Sequence, residues 1–331
     1  NKTEREVMEV IKDLSKIEIV PDTSITVGSF DGLHLGHQRI IQQMRKLEGL
    51  VTLMTFNPHP QSIVKPNQTP PPLLTSFEER LSLFDKIGVD RLIVTPFDKE
   101  FSTMSPKDFI ENILVKILGM KYIFVGPRHK FGQDRSGDVN MLKKLSEDFD
   151  FEVSEVEPVN RFGEVISSSR IRKLLSSGDA LTAWRCLGRP YYIEGEVVKG
   201  DDRGKRIGFP TANIEPIDDC KLIPPSGVYA TVTEVDGVRW PSVSHFGPRP
   251  TFKGATPALE TFLIGFREEI YGKIIRVGLI DKLRDIRTFK SVTELVGQLG
   301  SDVRGSAQRL AELGFGPTAR LRIQRYGKIL Q

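Results

Sequence analysis

The sequence reads as an α/β chain in two parts: a parallel sheet with crossover helices, then a small antiparallel β-barrel with a terminal helix. Three observations predict this. The length of 331 residues suits two cores, because single domains usually hold roughly 100–200 residues. From Ile25 onward apolar runs alternate with helix-like stretches, as strands and crossover helices do in a parallel sheet. From Tyr191 onward short β-type runs are separated by Gly, Pro and Asp turns, the signature of a small barrel.

Taken in order, the strands of the first part are ITVGSF from Ile25, LVTLMTF from Leu50, RLIVTPF from Arg91, YIFVG from Tyr122 and FEVSEV from Phe151. Helices are expected between them over residues 38–47, 77–87, 106–118 and 139–145. Two starts are well signed: Thr75 with Glu78 has capping-box spacing, and Ser105 precedes Pro106 as an N-cap. A basic amphipathic stretch at 169–175 leads through Gly178 to a further helix ending at Leu187. The pattern changes at residues 188–190, giving expected domains of 1–187 and 188–331. In the second, YYIEGEVV, GVYATVTEV, LETFLIGF and IIRVGLI read as strands, Asp236-Gly237 as a hairpin turn, and 292–313 as a helix packed on the barrel. Residues 66–72, rich in proline, read as a surface loop.

Composition narrows the class. With 39% hydrophobic and 27% charged residues the chain lies far from the disordered corner. Its longest apolar run, near residues 50–56, is too short to span a bilayer, and the first residues lack a signal-peptide core. Cys186 and Cys220 are the only cysteines, too few for a disulfide scaffold or a four-cysteine zinc site. A cytoplasmic protein without membrane partners is expected. The formal charge of +4 is mild and does not call for nucleic acid, although basic residues gather at 199–206 and at Arg320, Arg322, Arg325 and Lys328.

The segment Gly28-Ser-Phe-Asp-Gly-Leu-His34-Leu-Gly-His37 carries the most chemistry. It lies where a strand ends and a helix begins, the edge at which open α/β sheets bind ligands. Gly28, Gly32 and Gly36 let backbone approach a ligand, and the helix N-terminus attracts an anion. His34 and His37, three residues apart, fall on one face. They can donate hydrogen bonds to oxygens that gain charge at a phosphorus under in-line attack. A lone His-x-x-His is more often half a metal site or a surface accident, but no zincin Glu, second ligand pair or Walker lysine motif accompanies it.

Other candidates reach the same sheet edge. Asn57 and His59 sit in Asn57-Pro58-His59-Pro60 after the second expected strand, and Gly126 ends the fourth. Ser168, Ser169 and Arg172 open a helix, suited to a leaving pyrophosphate or simply to capping. In the second part, the basic loop 200–206 precedes Gly208-Phe-Pro-Thr211-Ala-Asn213. Thr211 and Asn213, two apart on extended chain, project to one side and can ligate a hard cation. Glu260, in an apolar strand-like run, is either structurally paired or a general base.

These segments together resemble the prokaryotic bifunctional riboflavin kinase/FMN adenylyltransferases, or FAD synthetases, from about Ile25 to Asp302. The HxGH signature at His34 and His37, the PHP loop at 58–60 and an ISSTxxR-like segment at 166–172 resemble the Rossmann-like nucleotidyltransferase domain. GFPTAN at 208–213 resembles the riboflavin kinase barrel. The resemblance implies that His34 and His37 stabilise adenylyl transfer from ATP to FMN, giving FAD and pyrophosphate. It implies nucleotide or flavin contacts at Gly28, Phe30, Asp31, Gly32 and Gly36, at Asn57, His59 and Gly126, and at Ser168, Ser169 and Arg172. In the barrel it implies contacts at Gly208, Phe209, Pro210, Thr211 and Asn213, with Thr211 and Asn213 holding Mg²⁺ with ATP and Glu260 as the base that activates riboflavin.

The chain departs from the family pattern at Pro127-Arg128-His129 after Gly126, where x-Asn/Asp-Phe is usual. It departs again at His245, Gly265 and Ile286, where Asn, Asp and Glu are usual. Two alternatives to the bifunctional enzyme follow: an FMN adenylyltransferase with a weak or flavin-sensing barrel, and a flavin-responsive nucleic-acid-binding regulator. A cytidylyltransferase fits less well because of the GFPTAN barrel. The oligomeric state is left open by the sequence.

Overall fold

A computed structural model describes residues 7–20, 22–64, 69–200, 202–247, 258–315 and 321–322. Outside them lie residues 65–68 of the proline-rich loop, Asp201 of the basic loop, residues 248–251 after His245, and the tail positions Arg320, Arg325 and Lys328. The chain divides into two compact units, Asn1–Pro71 with Phe77–Ser167, and Pro72–Ser76 with Ser168–Gln331.

The first unit is built on a parallel sheet of β1 (Glu9–Ile11), β2 (Thr23–Val27), β3 (Val51–Phe56), β4 (Arg91–Thr95), β5 (Met120–Val125) and β6 (Glu152–Glu155), in the order β1-β4-β3-β2-β5-β6. Every residue of β2, β3 and β4 is buried, which is why these strands read as unbroken apolar or Thr-containing runs instead of alternating ones. Successive side chains nonetheless serve opposite faces. Ile25, Val27, Met54, Ile93 and Ile123 pack beneath Phe109, Ile113 and Leu142. Leu53, Leu92, Val94 and Phe124 pack beneath α1 (Leu35–Met44) and α2 (Phe77–Ile87) through Ile41, Met44 and Phe84.

Several local expectations are met. Ser105 Oγ accepts the Asp108 N–H at 3.1 Å, with Pro106 at the first helical position. α3 (Val139–Phe149) begins where the sequence placed it, capped by Asp138, whose carboxylate accepts the Met141 N–H at 3.0 Å. Others are corrected. The first helix starts at Leu35, not residue 38, because the His34 side chain caps it. The stretch 106–118 is one α-turn, Pro106–Asp108, that widens into a π-helix over Phe109–Val115, with Lys116 N–H bonded to Glu111 O. The edge strand β1 gave no sequence signal, being three residues with two exposed. It is fixed by Arg91, which donates to Glu9 Oε2 at 2.7 Å and to Glu18 O at 3.0 Å.

In the second unit α4 (Ser168–Ser176) and α5 (Ala180–Leu187) precede the strands β7 (Tyr191–Val198), β8 (Ala212–Pro216), β9 (Gly227–Val235), β10 (Val238–Gly247), β11 (Ala258–Leu263) and β12 (Ile274–Arg284). All pair antiparallel in the order β9-β12-β7-β8-β11-β10, and β9 pairs with β10 to close the barrel. Asp236-Gly237 makes the expected two-residue turn between them, both at positive φ. α6 (Val292–Glu312) packs through Leu310 on Ala230, Val232 and Ile280. The alternate side chains form a buried ladder of hydroxyls. Thr233, Ser242, Thr231, Ser244 and Thr261 are linked by contacts of 2.8 Å each. The sequence pattern implied β8 only as extended chain at Thr211 to Asn213 and β10 only as the partner that the Asp236-Gly237 turn needs, because Asn213 and Glu215 interrupt the one, and Pro241 with two inward serines the other. Gly188 ends α5 in the left-handed region at φ 73. By contacts, however, α4 and α5 group with the barrel, so the units part at Ser167.

Candidate active sites

In the first unit β2 is the strand from which the sheet order runs both ways, with β3 on one side and β5 on the other. The crevice beyond its carboxyl end is therefore the place where an open α/β sheet takes a ligand. Gly28 follows β2 there, its N–H bonded to Met54 O at 3.0 Å. The chain then turns through Phe30 (φ 48), Gly32 (φ 81) and Leu33 (φ 34), closed by a Leu33 N–H bond to Phe30 O of 2.9 Å. Phe30, Asp31 and His34 are all buried.

His34 is the N-cap of α1, and its Nδ1 accepts the His37 N–H at 3.3 Å. That bond leaves the proton of the neutral His34 ring on Nε2, so its free edge is a donor. The two imidazoles stack at 3.6 Å and 18°, and the Phe30 ring meets His37 edge-on at 5.2 Å. A Cβ at Gly36 would stand 3.1 Å from the His34 ring, so the ring would have to give by a few tenths of an ångström. The stacked pair thus sits on the first turn of a ten-residue helix, the end of a helix that attracts an anion. Among the described residues, no cluster of three His, Cys, Asp or Glu side chains could hold a metal.

Asn57 leaves β3, exposed, with its N–H on Thr95 O at 3.2 Å. His59 Nδ1 accepts the Gln61 N–H at 3.3 Å, so its neutral ring also carries the proton on Nε2. Gly126 ends β5, and a Cβ there would touch nothing within 4 Å. The ends of β2, β3 and β5 thus bring residues 28–37, 57–59 and 126 to one sheet edge. His129, in the turn after Gly126, stacks on Phe131 at 5.8 Å, and burial with the nearby Arg135 charge pushes its pKa down to about 4. Ser168, Ser169 and Arg172 are placed otherwise. They open α4 in the second unit, where Arg172 Nε donates to Pro72 O at 2.8 Å.

In the second unit a cleft of about 250 Å³ lies between the outer barrel face and α6. Glu260 sits in the middle strand of three, directly opposite Asn213 on β8 and His245 on β10, and Thr211 lines the same cleft. The basic loop folds into a short helix, Arg203–Arg206, with Arg203 and Gly204 at the cleft. A Cβ on Gly204 would run into Phe209 O, and Gly200 lies against the Asn213 amide. Gly208 takes φ 85, while Phe209 and Phe262 pack at 5.7 Å. Val228, Val243, Leu295 and Leu299 complete an apolar wall. Burial lowers the pKa of His245, with Glu260 and Asp302 opposing and Arg284 assisting. Thr211, Asn213 and Glu260 offer only oxygens on their side-chain acceptors, a donor set suited to a hard cation that also takes substrate phosphate oxygens.

The comparisons bear on both halves. A family model described as FAD synthetase matches residues 16–170, and one described as riboflavin kinase matches 187–310. A bifunctional riboflavin kinase/FMN adenylyltransferase of Bacillus subtilis (strain 168) is 34% identical, over 87% of this chain and 93% of its own. The chain belongs to this family. The Escherichia coli (strain K12) member is likewise 34% identical, over 89% of this chain and 96% of its own. A solved chain described as a macrolide-efflux protein from Streptococcus pneumoniae superposes with a TM-score of 0.83 at 30% identity, covering 91% of this chain and 99% of that one. Among the described residues no helix is long and apolar enough to cross a membrane.

Within the family frame, the residues that sequence reasoning missed are those of the α6 clasp. Arg284, at the end of β12, binds Asp302 of α6 through two bonds of 2.9 and 2.6 Å, and Gln298 adds a third to the same carboxylate at 2.6 Å. The available signal was Asp302 itself, an acid on the helix face that also carries Ser306 and Leu310, all three buried. Of the departures from the family pattern, His245 and Ile286 line the cleft, whereas Gly265 occupies an open turn at φ 79.

Proposed function

We infer that this chain makes FAD from riboflavin in two steps, each in its own unit. It phosphorylates riboflavin with ATP to FMN and transfers the adenylyl group of a second ATP to FMN, releasing pyrophosphate. The carrying observation is that both family models are present in one chain: the first spans the His34–His37 crevice and the second the Glu260 cleft.

In the crevice, an FMN phosphate oxygen attacks the α-phosphorus of ATP. The new P–O bond forms as the bond to the β-phosphate oxygen breaks, and pyrophosphate departs with that electron pair. His34 and His37, with their ring orientation fixed by the cap bond and the stack, donate hydrogen bonds to the oxygens that gain charge. The α1 N-terminus stabilises the same charge. Gly28, Gly32, Gly36 and Gly126 leave room for the nucleotide, and Asn57 and His59 supply polar contacts from the neighbouring strand end.

In the cleft, the apolar wall takes the flavin ring and Glu260 accepts the proton of the ribityl hydroxyl as its oxygen attacks the γ-phosphorus, with ADP leaving. The Gly204 and Gly208 turns bring backbone to the phosphates, and Arg203 adds charge. Thr211 and Asn213 would hold Mg²⁺, which neutralises phosphate charge when bound. Two cysteines, Cys186 and Cys220, in a chain of this length suit a cytoplasmic enzyme.

The test is to supply each half-reaction separately and resolve the products by chromatography. Riboflavin with ATP should yield FMN and ADP, and FMN with ATP should yield FAD and pyrophosphate. Failure of either half, with the chain folded, would remove that activity. Salt-dependent nucleic-acid binding without turnover would favour the regulator.

A further inference from the structure

The two histidines depend on a loop whose backbone is held from behind by α2. Arg80 and Phe84 lie four residues apart and so on one face of that helix, and both are buried, at 2% and 0% exposure. A guanidinium is rarely sequestered unless its donors have work to do. Arg80 Nη1 donates to the Ser29 carbonyl oxygen at 2.8 Å, and its guanidinium carbon lies 5.7 Å from the Phe77 ring centre. Phe84 meets Phe30 edge-on at 6.1 Å and 90°, Phe30 meets His37 edge-on at 5.2 Å, and His37 stacks on His34. A continuous path of contacts therefore runs from α2 to both imidazoles.

The loop needs that support. Phe30 and Leu33 are non-glycine residues at φ 48 and 34, conformations that persist only where the surroundings over-determine them. The bond from Arg80 pins Ser29 immediately before the first of these, and Gln38 Nε2 pins Leu33 O at 2.8 Å after the second. We propose that Arg80 is a positioning residue for adenylyl transfer: by holding Ser29 it fixes Phe30, and through Phe30 the His37 ring, at the geometry the transition state requires. This rests on the reading of His37 as a donor to the α-phosphate. Arg80 itself touches no reacting atom in this scheme.

The test is a double-mutant cycle on the full chain, read as steady-state FAD formation from FMN and ATP. Arg80→Met keeps the apolar stem and removes the donors. It is expected to lower kcat by roughly 10²-fold, the scale of a 1 Å misplacement at a reacting centre, with the KM for ATP and FMN little changed. Arg80→Lys, which retains charge and a single donor head, should fall between. In a His37→Ala background the same Arg80→Met change should cost less than about twofold more, because residues that act as a unit are non-additive. Riboflavin phosphorylation by each variant should stay at the parent rate. An Arg80→Met protein at the parent kcat, or an equal loss in both backgrounds, overturns the proposal. If Arg80→Met lacks a cooperative melt, the cycle is run with Arg80→Lys and judged by the same two outcomes. His37→Ala alone at the parent rate would instead remove the underlying reading, and that is seen in the single variant.

Discussion

At the scale of a single residue, the base role proposed for Glu260 turns on its surroundings. Its direct neighbours across the strands are an amide, Asn213, and an imidazole, His245, so no lysine or arginine stands directly opposite to neutralise it. A ribityl hydroxyl is a poor nucleophile and needs a base within reach, whereas the FMN phosphate is already ionised. Glu260→Gln is therefore expected to slow riboflavin phosphorylation by roughly 10²–10⁴-fold while FAD formation from supplied FMN is unchanged. Rates of the two half-reactions, with a melting curve, check it. His129 gives a pH dependence. Its pKa is lowered from 6.5 to about 4 in the folded chain, so below pH 6.5 the unfolded chain binds a proton that the folded chain resists. Stability from this group is complete above 6.5, declines as pH falls towards 4 and levels off below it. His129→Phe keeps the stack on Phe131 and removes the titration, and should flatten the fall in Tm between those pH values. His34, His37 and Glu260 are singled out by residue type and motif, and the structure places His34 with His37 at the carboxyl end of β2 and Glu260 at the cleft. The cap made by His34 could not be read from spacing, because it depends on the ring turning back over Gly36.

Among the elements, α6 is tied to the barrel by one clasp. Asp302 is 5% exposed and its partner Arg284 20% at the side chain, so removing the acid leaves a mostly sequestered cation. Breaking such a pair typically costs about 3–5 kcal/mol. Asp302→Ala should lower the unfolding free energy of the second unit towards that figure, measured by urea titration, and raise the KM for riboflavin, because Asp302 lines the cleft. Gly204 offers a sharper local test. A side chain there meets Phe209 O and stands 3.2 Å from Thr211 Oγ1, so Gly204→Ala should raise the kinase KM for ATP at least tenfold (about 1.4 kcal/mol) and leave adenylyl transfer untouched. Elements were readable where side-chain period and burial agree: β2 to β5, β7 and β9, and the long helix α6. They were hidden where inward positions are polar, as in β10 with Ser242 and Ser244, or where pairing alone makes the strand, as in β1. The π-helix at Phe109–Val115 has no marker of its own, since its buried Phe109, Ile110, Ile113 and Leu114 fit an α-helical spacing equally well.

Taken as a whole, the chain joins two chemistries of phosphorus that need different surroundings. Adenylyl transfer to an ionised phosphate needs donors and a helix terminus, which the parallel sheet offers at its switch point. Phosphoryl transfer to an alcohol needs a base beside an apolar wall, and the outer face of the closed barrel under a helix places the proposed base, Glu260, in one cleft with Val228, Val243, Leu295 and Leu299. Both architectures were evident from the change of pattern near residue 188. The grouping of α4, α5 and the segment Pro72–Ser76 with the barrel was not, because it is made by long-range bonds such as Leu73 N–H to Cys220 O at 2.7 Å and Leu222 N–H to Leu73 O at 2.9 Å. If the chemistries reside in separate sites, one can be disabled while the other continues. The decisive measurement is the flavin profile formed by His37→Ala from riboflavin, ATP and Mg²⁺. Losing one preorganised donor typically costs roughly 10²–10³ in rate, so FMN should accumulate at the parent rate while FAD formation falls by that factor. FAD appearing at the parent rate, or FMN and FAD falling together in a folded protein, would show that the HxGH crevice is not a separate adenylyl-transfer site.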